Sequence, residues 1–161
     1  WIIQAAIRIG RFDFIQKAQK FIYKYYNPTT NACLVKKPYN SSNPSLNENC
    51  IFNTAAMGLT TLYLGDIDKA TKLGDTLVER IESQPGGLEK GSTFYLRFKD
   101  DGEYIREYAD KTDCAECPTM NLLRIDSGRV KQSWWAMGYP AAYLAILYKY
   151  TKDNKYLKVS E

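Results

Sequence analysis

Three times along the chain, a segment that is apolar on nearly every side gives way across a short turn to one that is apolar on a single side. Residues 1–9, WIIQAAIRI, form the first apolar run; Gly10-Arg11 breaks it and Asp13 offers a cap. Residues 14–26 then place Phe14, Ile15, Ala18, Phe21, Ile22 and Tyr25 at helical spacing, with Lys17, Gln19, Lys20 and Lys24 off the stripe. Asn27-Pro28 ends that helix, because the residue before a proline disfavours the α region. The second unit has IFNTAAMGLTTLYL at 51–64 and a turn at Gly65-Asp66. A helix at 67–83 follows, its stripe being Ile67, Ala70, Leu73, Leu77 and Ile81, and Gln84-Pro85-Gly86-Gly87 stops it. The third unit is apolar over 132–150, turns at Lys152-Asp153 and restarts at Asn154 with Tyr156, Leu157 and Val159. "AMG" recurs at 56–58 and 136–138, and the turn G-x-x-D-x-x-x-K-A at 10–18 is echoed by G-D-I-D-K-A at 65–70.

A helix apolar all round must be covered all round, and a one-sided helix is a covering layer. Alternating the two predicts concentric inner and outer layers. The expected fold is mainly α, an α/α-hairpin toroid whose inner helices line a funnel, with about three hairpins of six present in a single domain over 1–161. Pro140 falls within the third inner segment, where it removes a hydrogen bond, so a kink or a nearby helix start is expected. Gln132, Ser133, Trp134 and Trp135 at the start of that segment would meet the funnel mouth; the tryptophans would equally serve as core.

Between the second and third units the period changes from helix to strand. In TFYLRF at 93–98, Thr93, Tyr95 and Arg97 share one face and Phe94, Leu96 and Phe98 the other. KDDG at 99–102 is a turn signal and EYIREY at 103–108 the returning strand, which predicts a β-hairpin insertion. NLLRID at 121–126 is a further extended piece. Such an insertion sits on a toroid's rim, making Tyr95, Arg97, Tyr104, Arg106, Glu107 and Asp126 rim candidates, with a solvated hairpin face and a helix-cap role for Asp126 as the alternatives.

Composition narrows the chemistry. Histidine is absent, so histidine catalysis and histidine metal ligands are excluded within these residues. Lys and Arg are scattered within a net charge of +4, which gives no basic arm for nucleic acid. No uninterrupted apolar run reaches the roughly 18 residues a membrane span needs. Residues 1–9 do not read as a leader, and the start at Trp1 and the end at Glu161 inside an expected helix suggest a piece of a longer protein. The 13 tyrosines suit core margins, ligand-lined walls or a simple compositional bias. Cys33, Cys50, Cys114 and Cys117 fit unpaired thiols, disulfides or, with loose spacing, a zinc site. Asn40-Ser41-Ser42 matches a glycosylation acceptor, so both a cytoplasmic and a secreted location stay open.

The hairpin FYLRFKDDGEYI followed by QSWWAMGYPAAYLAILYKYTKDNKYL resembles the six-hairpin toroid superfamily: N-acylglucosamine 2-epimerase-like isomerases, unsaturated glucuronyl hydrolases and related glycosidases. The echo lies in Gln132, Trp134, Trp135, Tyr139, Thr151, Asp153, Tyr156 and Leu157 and spans roughly residues 50–161. The resemblance implies a carbohydrate-active enzyme (hydrolase, lyase or isomerase) acting on a small molecule or oligosaccharide without metal or cofactor. The histidines that move protons in the resembled epimerases have no counterpart here. Glycosyl chemistry needs two carboxyl groups, or a carboxylate and a tyrosine, facing the bond. Asp126 and Glu107 are the catalytic candidates, with Trp134, Trp135, Gln132, Tyr139, Tyr95 and Arg97 as substrate contacts. The other hairpins would come from the rest of the chain or from a second copy. Two alternatives remain: a lyase, dehydratase or cyclase on an apolar, terpenoid-like substrate, and a non-catalytic helical-repeat binding module.

Overall fold

In the computed structural model, residues 2–35, 39–42, 47–87, 92–106, 123–126 and 134–161 are described. Over these residues the protein is mainly helical, with small antiparallel sheets at one end of the helices. The first helix pair is α1 (Ile2–Arg8) with α2 (Phe12–Ile22), the second α3 (Ile51–Tyr63) with α4 (Ile67–Glu82), and the third α5 (Trp135–Thr151) with α6 (Asn154–Ser160). The turns are chemically distinct. Gly65, at φ +81°, takes the left-handed conformation a side chain disfavours, and Asp66 caps α4 by accepting from Lys69 N at 3.2 Å. Lys152 (φ 59°) ends α5 without a glycine, and Asp153 caps α6 through Lys155 N at 3.1 Å.

α3 and α5 run in the same direction, side by side. Near their starts the Phe52 ring meets the rings of Trp135 and Tyr139 edge-on, both at 4.9 Å. At their middles Gly58 lies against Tyr143, where a Cβ would fall inside the phenol ring. The Tyr143 hydroxyl crosses to donate to the Ala70 carbonyl of α4. Leu77, Leu96, Leu144 and Leu147 are buried in the same core cluster as Tyr143 and Ala70. Each such aliphatic side chain contributes about 1.5–3 kcal/mol through removal from water. α6 closes over the layer with the buried Tyr156, whose hydroxyl donates to Asp75 at 2.6 Å.

Among the described residues, six strands of two or three residues cap the helix ends: β1 (Tyr26–Asn27), β2 (Ala32–Cys33), β3 (Asn49–Cys50), β4 (Thr93–Tyr95), β5 (Arg97–Phe98) and β6 (Arg124–Asp126). All pairings are antiparallel: β1 with β2, β3 with β5, and β4 with β6. The turn forms as expected at 99–102, with Lys99 N bonded to Glu103 O at 2.9 Å, but of the expected returning strand the described residues hold only a bridge from Phe98 to Tyr104, because 93–95 pair with 124–126 and 97–98 with 49–50 instead. The apolar alternation also holds: Phe94, Leu96 and Phe98 are all buried.

Four expectations need correction. The first one-sided helix was expected over 14–26, yet α2 ends at Ile22 and a 3-10 turn covers Tyr23–Tyr25. Of its stripe only Ile15 is buried; Phe14 and Phe21 are 42% and 59% exposed, because α2 packs mainly on α1. Asp13 does not cap it but lies in its first turn and pairs with Arg11, the N-cap residue, at 2.9 Å. The third inner helix is not covered all round: Trp135 and Tyr150 are 55% and 61% exposed, since α3, α4 and α6 occupy only one side of it. Pro140, by contrast, meets its expectation: it is buried in the second turn of α5, close to the helix start at Trp135.

Two outcomes are expected. Gly58→Ala forces the Tyr143 ring to move and lowers the urea-unfolding free energy by about 1–3 kcal/mol, whereas Gly138→Ala, whose Cβ meets nothing within 4 Å, is neutral or stabilising by up to about 1 kcal/mol. Equal effects at the two sites would contradict this packing. Burial pushes the Cys33 thiol up to about 12 from its ordinary 9.0 and raises Cys50, Tyr143 and Tyr156 as well. The native state therefore keeps protons that the unfolded chain loses near 9 to 10, so this contribution is full below that range and is lost progressively as pH rises from there through the raised folded-state values. Thermal unfolding across pH 8–11 should show a steadily falling Tm; a flat profile would show these groups to be wet.

Candidate functional site

The strand end of the helices gathers three loops: residues 26–34, residues 39–42 with 47–50, and residues 92–106. They meet on Asp100. Asn27 Nδ2 donates to its Oδ1 at 2.6 Å, Asn49 Nδ2 to the same oxygen at 3.1 Å, and Asn47 Nδ2 to Oδ2 at 2.8 Å. All three asparagines are buried. Their orientation follows from their other partners. Asn27 Oδ1 accepts Thr29 N, Asn47 Oδ1 accepts Asn40 N, and Asn49 Oδ1 accepts from Thr30 Oγ1 and Asn27 Nδ2. Each amide nitrogen must therefore face the carboxylate. Buried polar groups are tolerated only when satisfied, and here they are.

A second anchor is Arg97, buried at 3% exposure and paired with Glu48 at 2.7 Å. This corrects its expected place on the rim face. The strand changes partners at Leu96, whose N–H goes to Leu123 O, and Arg97 then pairs across β3 at Cys50, next to Glu48. Tyr104, another rim candidate, is also turned inward: its hydroxyl donates to the Arg80 carbonyl and contacts Ser83 Oγ at 3.0 Å. Gln84, which the sequence read only as part of a helix stop, clasps Tyr95 from both sides of its backbone at 2.8 and 3.1 Å.

The remaining candidates separate into two groups. Tyr95 stands half-buried beside Tyr104 at 6.1 Å with the Arg106 guanidinium 5.9 Å above its ring. Asp126 lies on the neighbouring strand, opposite Thr93; it accepts from Thr93 Oγ1 at 2.7 Å and from Arg124 at 3.3 Å. At the start of α5, Trp135 and Tyr139 share the Phe52 ring, and Trp134 is 46% exposed beside them. Phe52 was missed as a site residue, since within an all-apolar run nothing marks one position. Glu107, Gln132, Cys114 and Cys117 lie outside the described residues. Cys33 and Cys50 are buried free thiols, and among the described residues no group of three or more ligand-type side chains comes together. No described helix is long and apolar enough to cross a membrane.

A cleft of about 390 Å³ opens between α4, the turn at 29–31 and the hairpin tip. Thr29, Thr30 and Asn31 form one wall, Lys72, Asp75, Thr76, Glu79 and Arg80 another, and Asp100, Asp101 and Gly102 the third. Arg80 braces the tip by donating to Gly102 O at 2.9 Å with its guanidinium over the Phe98 ring. Comparison with family models, with curated proteins and with solved structures finds no match to this chain.

Removing one member of the buried pair should cost far more than removing an exposed one. Glu48→Ala is expected to destabilise by about 3 kcal/mol, because it uncovers the buried Arg97 charge. Lys99→Ala breaks the exposed Lys99–Glu103 pair and should change stability by less than about 1 kcal/mol. Chemical denaturation of both variants checks the ordering, and a reversed order would remove Arg97 from the anchor role.

Proposed function

We propose that this chain is part of a carbohydrate-active enzyme of the α/α-toroid type, hydrolase, lyase or isomerase in reaction class. The observation that carries the reading is the aromatic platform at the starts of α3 and α5, which run in the same direction. Phe52 fixes Trp135 and Tyr139 by edge contacts while leaving the Trp135 indole more than half exposed. A rigid, exposed indole offers a sugar ring an apolar face at little entropic cost. The open side of α5 is where a further inner helix would stand, supplied by more of the chain or by a second copy.

In this reading Asp126 acts as a carboxylate. With Thr93 and Arg124 donating to it, its direction is set, which suits stabilisation of positive charge developing at a sugar carbon. Glu107 would then supply the acid. Tyr95 and Arg106 would border the substrate, while Arg97 holds the hairpin that carries them. One observation favours a second reading, a lyase or cyclase for an apolar substrate: the exposed residues along α5 include Trp135, Ala142 and Tyr150.

Tryptophan fluorescence titrated with neutral and uronic oligosaccharides tests the proposal. Saturable quenching is expected, weakened about tenfold or more in Trp135→Ala. Asp126→Asn should retain binding while losing turnover. Response only to a polyprenyl ligand such as farnesol would transfer the function to the second reading. No response to either would leave a non-catalytic binding module.

A further inference from the structure

We propose that the cleft between α4, the turn at 29–31 and the hairpin tip is a separate binding site for a neutral, polyhydroxylated ligand, a single sugar unit or a comparable polyol. Its volume, about 390 Å³, is within the range of small-molecule sites. Its ligand class follows from which groups are already occupied. Asp100 receives the three asparagine amides on both its oxygens, whereas Asp75 engages Tyr156 and Lys155 through Oδ1 and Glu79 engages Arg80 through Oε1, each keeping its second oxygen. Arg80 in turn holds Gly102 and covers Phe98. Thr76 donates to the Thr30 carbonyl.

What is left facing the cleft is a short alternating set. The Lys72 ammonium has no partner among the described residues. Asn31 accepts from the Tyr26 hydroxyl at 2.5 Å through Oδ1, which leaves both amide hydrogens to give. Asp101 accepts from Glu103 N with one oxygen and keeps the other. Thr29 exchanges one hydrogen bond with Tyr39 and retains further capacity. One cation, the open carboxylate oxygens, one amide and one hydroxyl mix donors with acceptors, which matches adjacent hydroxyl groups. The lining as a whole carries four carboxylates against two cations, a net charge of −2 that disfavours phosphates and other anions. A dication would need ligand oxygens gathered on one point, and no such group occurs among the described residues. The walls are preformed, because the occupied groups hold the three elements at fixed spacing. This site does not depend on the aromatic platform or on the chemistry proposed for it.

The test is a backbone amide NMR titration of the full 161-residue chain with D-glucose, D-galactose, D-mannose and N-acetyl-D-glucosamine, with inorganic phosphate and Ca²⁺ as charged probes. Saturable shifts at residues 29–31, 72–80 and 100–102 with at least one sugar are expected. Lys72→Ala and Asn31→Ala should each weaken binding about tenfold, and Trp135→Ala should leave it unchanged. Lys72 is exposed, so its loss does not threaten folding. Absence of saturable shifts at the cleft with every sugar, saturation by phosphate or Ca²⁺ alone, or sugar shifts only around Phe52 and Trp135 would each overturn the proposal. The last of these would leave the platform reading standing by itself.

Discussion

Three buried amides converge on the Asp100 carboxylate, and the shape of the strand end follows from that constraint. Asn27, Asn47 and Asn49 come from two separate loops and Asp100 from a third, so no loop can move without stranding a buried polar group in another. The penalty for one unsatisfied buried donor is about 1–3 kcal/mol, comparable with the gain from a well-made hydrogen bond network in the same place. The strands here are only two or three residues long and could not hold register by ladder bonds alone. Side-chain hydrogen bonds from Thr54, Gln84 and Asp100 substitute for the missing ladder, and the Arg97–Glu48 pair adds a charged tie under the same hairpin.

The helical layer is organised by shape rather than polarity. Gly58 and Gly74 leave room for Tyr143, Leu147 and Tyr156, so α3 and α4 approach α5 and α6 more closely than larger residues would allow. Tyr143 then reaches across from α5 to α4 and joins the two helices through one hydroxyl. The two regions are continuous at the start of α3. The Ile51 N–H bonds the Leu96 carbonyl, and Thr54 accepts the Cys33 N–H while donating to Cys50 O. The cleft and the aromatic platform both lie at this junction of a rigid helical body with a cross-tied set of loops.

Sequence periodicity revealed α3, α4, α5 and α6 nearly to their ends, because each carries an unbroken pattern bounded by a turn with its own chemistry, such as Gly65-Asp66 or Lys152-Asp153. It overstated α2, where Phe14 and Phe21 complete a convincing stripe with nothing described to cover it. It missed β1, β2 and β3, whose two residues each are too few for alternation to register. The candidate site was legible where residue type alone carries meaning, as with Trp134 and Trp135. It was illegible where partnership decides: Arg97 reads as a surface arginine until Glu48 is placed beside it, and Asn27, Asn47, Asn49 and Asp100 read as turn residues until three loops are folded together.

Amide hydrogen exchange of Asp100→Ala beside the unaltered protein tests the Asp100 constraint most directly. Protection is expected to fall together at Cys33, Leu34 and Val35, at Ile51, and at Leu96, Lys99 and Ile105, all of which are hydrogen-bonded in these loops. The α5 and α6 amides should keep theirs. A loss confined to the 99–103 turn would contradict it, because the three loops would then be holding their places independently of Asp100.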